Sequence, residues 1–167
     1  MKAYLKLAFC LSVVLFVAGS LWAKDKYTVT VLPFSTHSAE NIDYLKDGIS
    51  NMLSSRLAVP GKIDVTPAYI AATEMKKIKS KELTPADVQA VGKNLKSDYV
   101  VWGSITKIGK SISIDGKLTD IGANKSDINI FTQTQNIDEV LPRINDFSQK
   151  IVSHILGTSP AVAAATT

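Results

Sequence analysis

The chain has 167 residues, 46% of them hydrophobic, and carries 19 basic against 15 acidic side chains. This length suits one domain with a core of its own. The small positive excess argues against nucleic-acid binding, which needs a dense basic face. The single cysteine, Cys10, excludes an internal disulfide and a thiolate metal site.

Residues 1–23 are predicted to be a secretory signal peptide that is removed on export. Two lysines precede an apolar run from Leu7 to Leu21, which has about the length of a signal-peptide core. Cleavage is expected after Ala23, with Ser20 as the second choice; the first leaves 144 residues with 17 basic and 15 acidic side chains, a net charge of +2. An uncleaved membrane anchor is the alternative, but the run is short for a span of about 20 residues. Cys10 does not fit a lipoprotein signal, because a bulky residue precedes it.

The first part of the mature chain is predicted to form a strand, a polar loop and a helix. Valine and threonine alternate within Tyr27–Phe34, which favours a strand that ends at Pro33. Residues 35–38 then form a polar loop. From Ile42 onward apolar residues recur mostly every three or four positions, as on one face of an amphipathic helix, and Pro60-Gly61 ends it.

Three short elements are predicted next. Ile63–Pro67 is a strand, Ala68–Met75 is a helix, and a lysine-rich connection leads to Glu82. A third helix begins at Thr84, which can act as a cap. Proline suits the first helical position behind it, and Asp87 completes a capping box.

A hairpin is predicted from Tyr99 to Ile121. Its first four residues are apolar, as in a strand buried on both faces. Gly109-Lys110 is a turn signal, because glycine takes the positive φ that a tight hairpin requires. In the second strand Ile112, Ile114 and Leu118 alternate with polar residues, which predicts one buried and one wet face.

A further strand is predicted for Ser126–Thr134, and a final helix follows it. Asn136 and Glu139 are expected to form a capping box for that helix. Pro142 should either kink the helix or mark its first turn, and Gly157 is a natural C-cap.

The order of these elements predicts an α/β fold, a mixed sheet with helices packed against it. The chain is expected to contain the signal peptide at 1–23, a single α/β domain at 24–157 and a disordered tail at 158–167. The tail has too little apolar bulk to pack.

Two polar segments are candidate binding surfaces. Ser35-Thr36-His37-Ser38 follows the first strand, where α/β folds often place sites, although helix capping explains its hydroxyls more simply. Lys76 and Lys77 belong to the strongest charge cluster, which could contact an acidic partner or anionic lipid headgroups. A solvated connection is the simpler interpretation of that cluster.

No catalytic, cofactor-binding or metal-binding residue is predicted, and hence no enzyme. His37 and His154 belong to no metal-ligand spacing. Asp43 and Asp47 are interpreted as part of a solvated helical face. The chain contains neither GxSxG nor GxGxxG, and the segment from Gly103 to Ser111 resembles a phosphate loop but leads into a strand instead of a helix.

Three segments in one order resemble the amino-terminal domain of TolB and its relatives, a group that includes curli-export and other envelope lipoproteins. They are VTVLPF at Val29–Phe34, YLKDGISNMLSSRL at Tyr44–Leu57 and DYVVWGSITKIGKSISIDGKLTDI at Asp98–Ile121. The resemblance implies a three-layer α/β domain that serves the cell envelope as a binding or assembly module without catalysis. It assigns no functional residue, and Gly103-Ser104 within the shared pattern is interpreted as a point of close chain packing.

The preferred hypothesis is an exported, non-catalytic domain of the periplasm or cell envelope that binds another envelope protein. The alternative is a periplasmic domain that binds a small ligand near residues 35–38 and Gly103-Ser104, and an enzyme is the third hypothesis. No cofactor is expected. Peripheral contact with a membrane stays open, as do the oligomeric state and the partner.

Overall fold

The computed structural model describes residues 26–78, 80, 82–123 and 128–158. The predicted signal peptide and the predicted tail from 159 onward lie outside the described residues. Six strands are described: β1 (Tyr27–Val31), β2 (Ser35–Ser38), β3 (Ile63–Val65), β4 (Tyr99–Ile108), β5 (Ser111–Asp120) and β6 (Ile128–Thr134). The described helices are α1 (Asp43–Leu57), α2 (Ala68–Met75), α3 (Pro85–Asn94) and α4 (Val140–Leu156), with a 3₁₀ turn at Ile137–Glu139 before α4. Within these ranges, no helix has the length and apolar content to cross a bilayer.

The strands form one mixed sheet in the order β3-β1-β4-β5-β6. β1 is parallel to β3 and to β4, while β5 is antiparallel to β4 and to β6. β2 also pairs in parallel with β4, further along that strand than β1. The α/β fold with a mixed sheet is therefore confirmed.

Helices cover both faces of the sheet. α1 and α4 pack on one face over the larger core, to which Val101, Ile114 and Phe147 belong. The other face meets α2 and α3 over a smaller core, formed by Leu32, Ala71, Val88, Val91, Val100 and Trp102. Successive residues of β4 thus enter opposite cores, as expected of a strand buried on both faces.

Residues 35–38 form strand β2, so the prediction of a polar loop there is wrong. Ser35 pairs with Ser104, and Ser38 pairs with Lys107. The segment lacks the apolar alternation of a half-buried strand. Its extended form follows from the hydrogen-bonding edge that β4 offers beyond the end of β1.

β1 ends at Val31, two residues before Pro33, where the predicted strand ends. The next residues lie on opposite sides of the sheet, because Leu32 enters the smaller core and Phe34 the larger one. Pro33 between them has no N–H to donate. The chain therefore follows the edge of β4 as two strands with a break between them.

The predicted ends of α3 and α4 are confirmed. Thr84 Oγ1 accepts a hydrogen bond from Asp87 N at 3.2 Å, and Thr84 N donates to Asp87 Oδ2 at 3.0 Å, which completes the capping box. Pro142 lies in the first turn of α4, and Gly157 ends the helix with a φ of 65°. Glycine adopts that left-handed conformation without the steric cost of a Cβ.

The capping box predicted at the start of α4 is wrong. Asn136 Oδ1 accepts from Asp138 N at 3.3 Å and so caps the 3₁₀ turn. The carboxylate of Glu139 instead accepts a hydrogen bond from the hydroxyl of Thr134 at 2.7 Å. The N–H of Asn136, which a capping box would pair with Glu139, donates to Thr134 Oγ1 at 3.2 Å.

β4 and β5 approach each other closely where Gly103 pairs with Gly116. A Cβ on Gly103 would lie 2.1 Å from the carbonyl oxygen of Asp115, and one on Gly116 would lie 2.0 Å from Cζ of Phe147. Phe147 is buried in the larger core, so a Cβ on Gly116 would have to displace a packed aromatic ring. This geometry agrees with the interpretation of Gly103-Ser104 as a point of close packing.

The substitution Gly103→Ala is expected to destabilise the protein by about 1–3 kcal/mol, because the backbone of β5 must shift to admit a methyl group. Gly48→Ala is the control, since Gly48 lies within α1 with open space around it. That change should stabilise the helix by about 0.5–1 kcal/mol. Urea unfolding of both variants measures the difference, and equal stability of the two would contradict the close approach.

Candidate functional site

Two adjoining depressions lie at the end of the molecule that carries the β4–β5 turn. The larger, of about 540 Å³, is lined by Tyr44, Lys107, Gly109, Lys110, Ile112, Gln135, Asn136 and Ile137. The smaller, of about 400 Å³, is lined by His37, Ser38, Ala39, Glu40, Thr106, Lys107, Ile108 and Gly109. Because Lys107 and Gly109 line both, the two depressions form one region, which we call the hairpin-tip surface.

A two-residue turn builds the centre of this surface. Ile108 pairs with Ser111, and Gly109 and Lys110 connect them. Gly109 has a φ of 58°, whereas Lys110 is not left-handed. This is the pattern of a type II′ turn, whose first central position favours glycine and whose twist matches that of the strands.

Three large apolar side chains are exposed around the hairpin-tip surface. Tyr44 of α1 is 60% exposed, Ile108 of β4 is 76% exposed and Ile137 of the 3₁₀ turn is 45% exposed. Lys107 is ion-paired with Glu40. Lys110 has no ion-pair partner among the residues that the structure describes. The surface therefore combines exposed apolar groups with an uncompensated cation.

The candidate segment Ser35–Ser38 reaches this surface at its carboxyl end. His37 and Ser38 are exposed and line the smaller depression, whereas the first two residues of β2 do not. None of the segment's hydroxyls caps α1, and Ser38 Oγ accepts from Glu40 N at 3.1 Å instead. Within the described ranges His37 makes no hydrogen bond or ion pair with a carboxylate, so no acid orients it for proton transfer.

Lys76 and Lys77 lie elsewhere, at the carboxyl end of α2. Both are exposed. Lys77 Nζ lies 2.6 Å from Glu74 Oε2, and Glu74 also accepts from Asn94 Nδ2 at 2.8 Å. Asn94 ends α3 shortly before β4 begins, whereas the hairpin tip lies at the other end of β4. The structure therefore does not bring the lysine cluster together with Ser35–Ser38.

The acidic and histidine side chains that are candidates for catalysis lie apart on the surface. Asp43 and Asp47 are exposed, and Asp43 pairs with Lys46 at 3.6 Å. His154 is exposed on α4. The described part of the chain contains no group of three or more His, Cys, Asp or Glu side chains that could hold a metal ion.

The exposed apolar residues of the hairpin-tip surface were not predicted from the sequence. One signal was available, because Tyr44 lies outside the helical stripe of Leu45, Ile49 and Leu53 and must face away from the core. Ile137 carries no such signal. It precedes an apolar helix, and only the 3₁₀ turn exposes it.

Neither a protein-family model nor a curated protein sequence matches the chain. Solved structures do match. The C-terminal domain of LpoB from Salmonella enterica aligns with a TM-score of 0.52 and 10% identity, over 74% of this chain and 93% of that one. The lipoprotein GNA1162 from Neisseria meningitidis aligns with a TM-score of 0.52 and 16% identity, over 84% of this chain and 99% of that one. TolB from Acinetobacter baumannii gives a TM-score of 0.45 and 15% identity, over 78% of this chain and 27% of TolB.

These likenesses concern the fold. The chain has the α/β architecture of the LpoB C-terminal domain and of the lipoprotein GNA1162, which agrees with the expected fold. At 10% and 16% identity the shared fold assigns neither a partner nor a binding residue to this chain.

The contacts of Glu74 predict a pH dependence of stability. Hydrogen bonds from Lys77 and, secondly, Asn94 lower the pKa of the Glu74 carboxyl below its usual value. The folded state thus favours the charged form. The resulting stability is fully present above the pKa of an unfolded glutamate, about 4.3, and is lost as the pH falls through the lower folded-state pKa.

Glu74→Gln should therefore lower the free energy of unfolding at pH 6, and the deficit should shrink as the pH falls towards 3. Urea unfolding of both proteins across this range measures it. In a Lys77→Met background the deficit at pH 6 should be smaller, because the hydrogen bond that lowers the Glu74 pKa most is gone. A deficit that stays constant with pH would contradict the role of the charge.

Proposed function

We propose that the protein is an exported, non-catalytic domain that binds another protein of the cell envelope through its hairpin-tip surface. The observation that carries the proposal is the gathering of Tyr44, Ile108 and Ile137, all exposed, around two adjoining depressions. Grouped exposed apolar side chains are typical of surfaces that bind other proteins. Tyrosine is also enriched among the residues that dominate binding energies.

The charges of the surface indicate what kind of partner it fits. Lys107 is already neutralised by Glu40, which leaves Lys110 to attract a negative group. An acidic side chain of the partner would meet Lys110 at the rim, where charge contributes to the association rate and to orientation. Apolar side chains of the partner would fill the larger depression beside Tyr44 and Ile137.

Export and the absence of catalysis rest on separate support. The signal peptide predicted at residues 1–23 supports export. The fold shared with GNA1162, itself a lipoprotein, supports a place in the periplasm or cell envelope. The isolated position of His37 and the solvated carboxylates of α1 support a domain without catalysis.

A small-ligand-binding domain is the second candidate function. The smaller depression, of about 400 Å³, falls within the size range of small-molecule sites and includes His37 and Ser38 of the predicted segment. Native mass spectrometry of protein purified from its own host separates the two candidates. A bound small molecule that is lost in a His37→Ala variant would favour the ligand, and unliganded protein would favour the protein partner.

Photo-crosslinking tests the protein-binding proposal. A photoreactive phenylalanine analogue at position 44 should crosslink the partner in intact cells and give one discrete heavier species. The matched control is position 69, because Tyr69 is also a helical tyrosine and is 73% exposed but does not line the hairpin-tip surface. Lys110→Glu should weaken the crosslink from position 44, since it removes the free cation. Equal crosslinking at 44 and 69 would refute the surface as the binding site.

Export is tested by the amino terminus of the protein recovered from cells. Cleavage after Ala23 predicts a mature chain that starts at Lys24. Amino-terminal sequencing of the periplasmic fraction checks it. A charged residue in the middle of the apolar run, Val14→Asp, should leave the full-length chain in the cytoplasm. An intact amino terminus on membrane-bound wild-type protein would support the anchor instead.

A further inference from the structure

β6 is the outer strand of the sheet opposite β3, and no described strand pairs with its free side. Its sequence, INIFTQT, contains no charged residue, proline or glycine. Natural edge strands are usually protected from further pairing by lysine, proline, a bulge or a very short length. β6 is seven residues long and contains neither lysine nor proline. Among the described residues, this edge therefore lacks the charge and proline that usually prevent further pairing.

The β4–β5 turn determines which backbone groups of β6 are free. In a two-residue hairpin the flanking pair, here Ile108 and Ser111, exchanges both hydrogen bonds. Odd-numbered residues of β5 then bond to β4, and even-numbered ones bond to β6. The hydrogen bond from Leu32 N to Val101 O, at 2.8 Å on the other edge of β4, agrees with this alternation.

The register between β5 and β6 extends the same alternation of hydrogen bonding to β6. Ile114 pairs with Thr132, and Gly116 pairs with Ile130, so these residues of β6 bond to β5. The N–H and C=O groups of the intervening residues point away from the sheet. These residues are Asn129, Phe131 and Gln133, and their side chains are all exposed.

A groove lies beside this free edge. It has a volume of about 290 Å³, and α4 overhangs it from the face of the larger core. Phe131 and Phe147 provide apolar lining, and Arg143, Asp146 and Lys150 come from α4. An edge strand beside a helix is the geometry in which an extended peptide can add to a sheet, with main-chain bonds on one side and side-chain pockets on the other.

The charges of α4 indicate the occupant. Arg143 and Lys150 lie seven residues apart, about 10 Å along the helix, with Asp146 between them. A second copy of the chain would bring the same three side chains, two cations and one acid, to the shared edge, so both grooves would carry a net positive charge. A peptide with acidic residues at its ends and a neutral centre complements the same pattern.

We propose that β6 and α4 form a docking site for an extended segment of a partner protein, which adds to the sheet as a further strand. The segment has β-branched residues at its centre and acidic side chains towards Arg143 and Lys150. The site has no residue in common with the hairpin-tip surface. A test of this docking site is therefore independent of a test of the function proposed above.

A designed peptide tests the site. Its sequence is TEVVVET in one-letter code, so that both glutamates and the central valine lie on one face of a strand. The control peptide, TKVVVKT, has lysines in place of the glutamates. Binding of fluorescein-labelled peptides to the purified protein is measured by fluorescence anisotropy. We expect binding of the acidic peptide in the micromolar range and at least tenfold weaker binding of the basic one.

Three variants identify the contacts. Gln133→Pro removes one outward N–H and should weaken the binding of TEVVVET at least tenfold. The variant should still fold, because proline is tolerated where the N–H of an edge strand faces solvent. Gln133→Ala, which keeps that N–H, should bind within about twofold of the wild type. Arg143→Glu with Lys150→Glu changes only exposed positions on α4 and should invert the preference in favour of TKVVVKT.

Three outcomes would overturn the proposal. One is the failure of TEVVVET to bind at millimolar concentration. Another is an equal loss of affinity in the proline and alanine variants at position 133. The third is a dimer in sedimentation velocity that Gln133→Pro dissociates, because the edge would then be occupied by a second copy.

Discussion

β4 is hydrogen-bonded along both edges, and the rest of the fold is arranged around that requirement. β5 pairs with its entire length on one side, while β1 and β2 share the other side in succession. A buried strand cannot leave its N–H and C=O groups unpaired without a cost of about 1–3 kcal/mol for each. The chain therefore resumes pairing after the break at Leu32–Phe34, and a polar segment becomes a strand because a partner edge is there to be filled.

The length of β4 also decides where a binding surface can lie. α2 and α3 cover the first part of the strand, where Val100 and Trp102 are buried and the indole of Trp102 donates to the hydroxyl of Thr119 at 2.9 Å. Further along, the same face carries Ser104 and Thr106, which are only half-buried. The hairpin thus continues beyond the smaller core. The hairpin-tip surface forms where the sheet extends past α2 and α3.

The features that the sequence predicts depend on neighbouring residues, whereas the features that it misses depend on residues distant in the chain. The β4–β5 hairpin, the box at Thr84 and the C-cap at Gly157 depend on neighbours within a few residues, and each was predicted. Strand β2 depends on a partner about 70 residues away, so its local sequence indicated a loop. The candidate site followed the same division. The polar composition of residues 35–38 predicts the candidate residues His37 and Ser38, but the apolar residues that lie beside them come from three separate elements.

β3 and β6, the strands at the two ends of the sheet order, differ in a way that composition alone would not reveal. β3 is three residues long, its Ile63 is bridged by Val59, and its Asp64 pairs with Lys26 at 2.6 Å. Such shortness and charge are usual protections of an edge. At the other side the charges lie on the inner strand β5, as Asp115 and Lys117, while the outer strand β6 has none. Charge on the inner strand protects nothing, because its edges are already paired. A sheet that protects one edge and leaves the other free of charge favours a role for the unprotected strand in recognition.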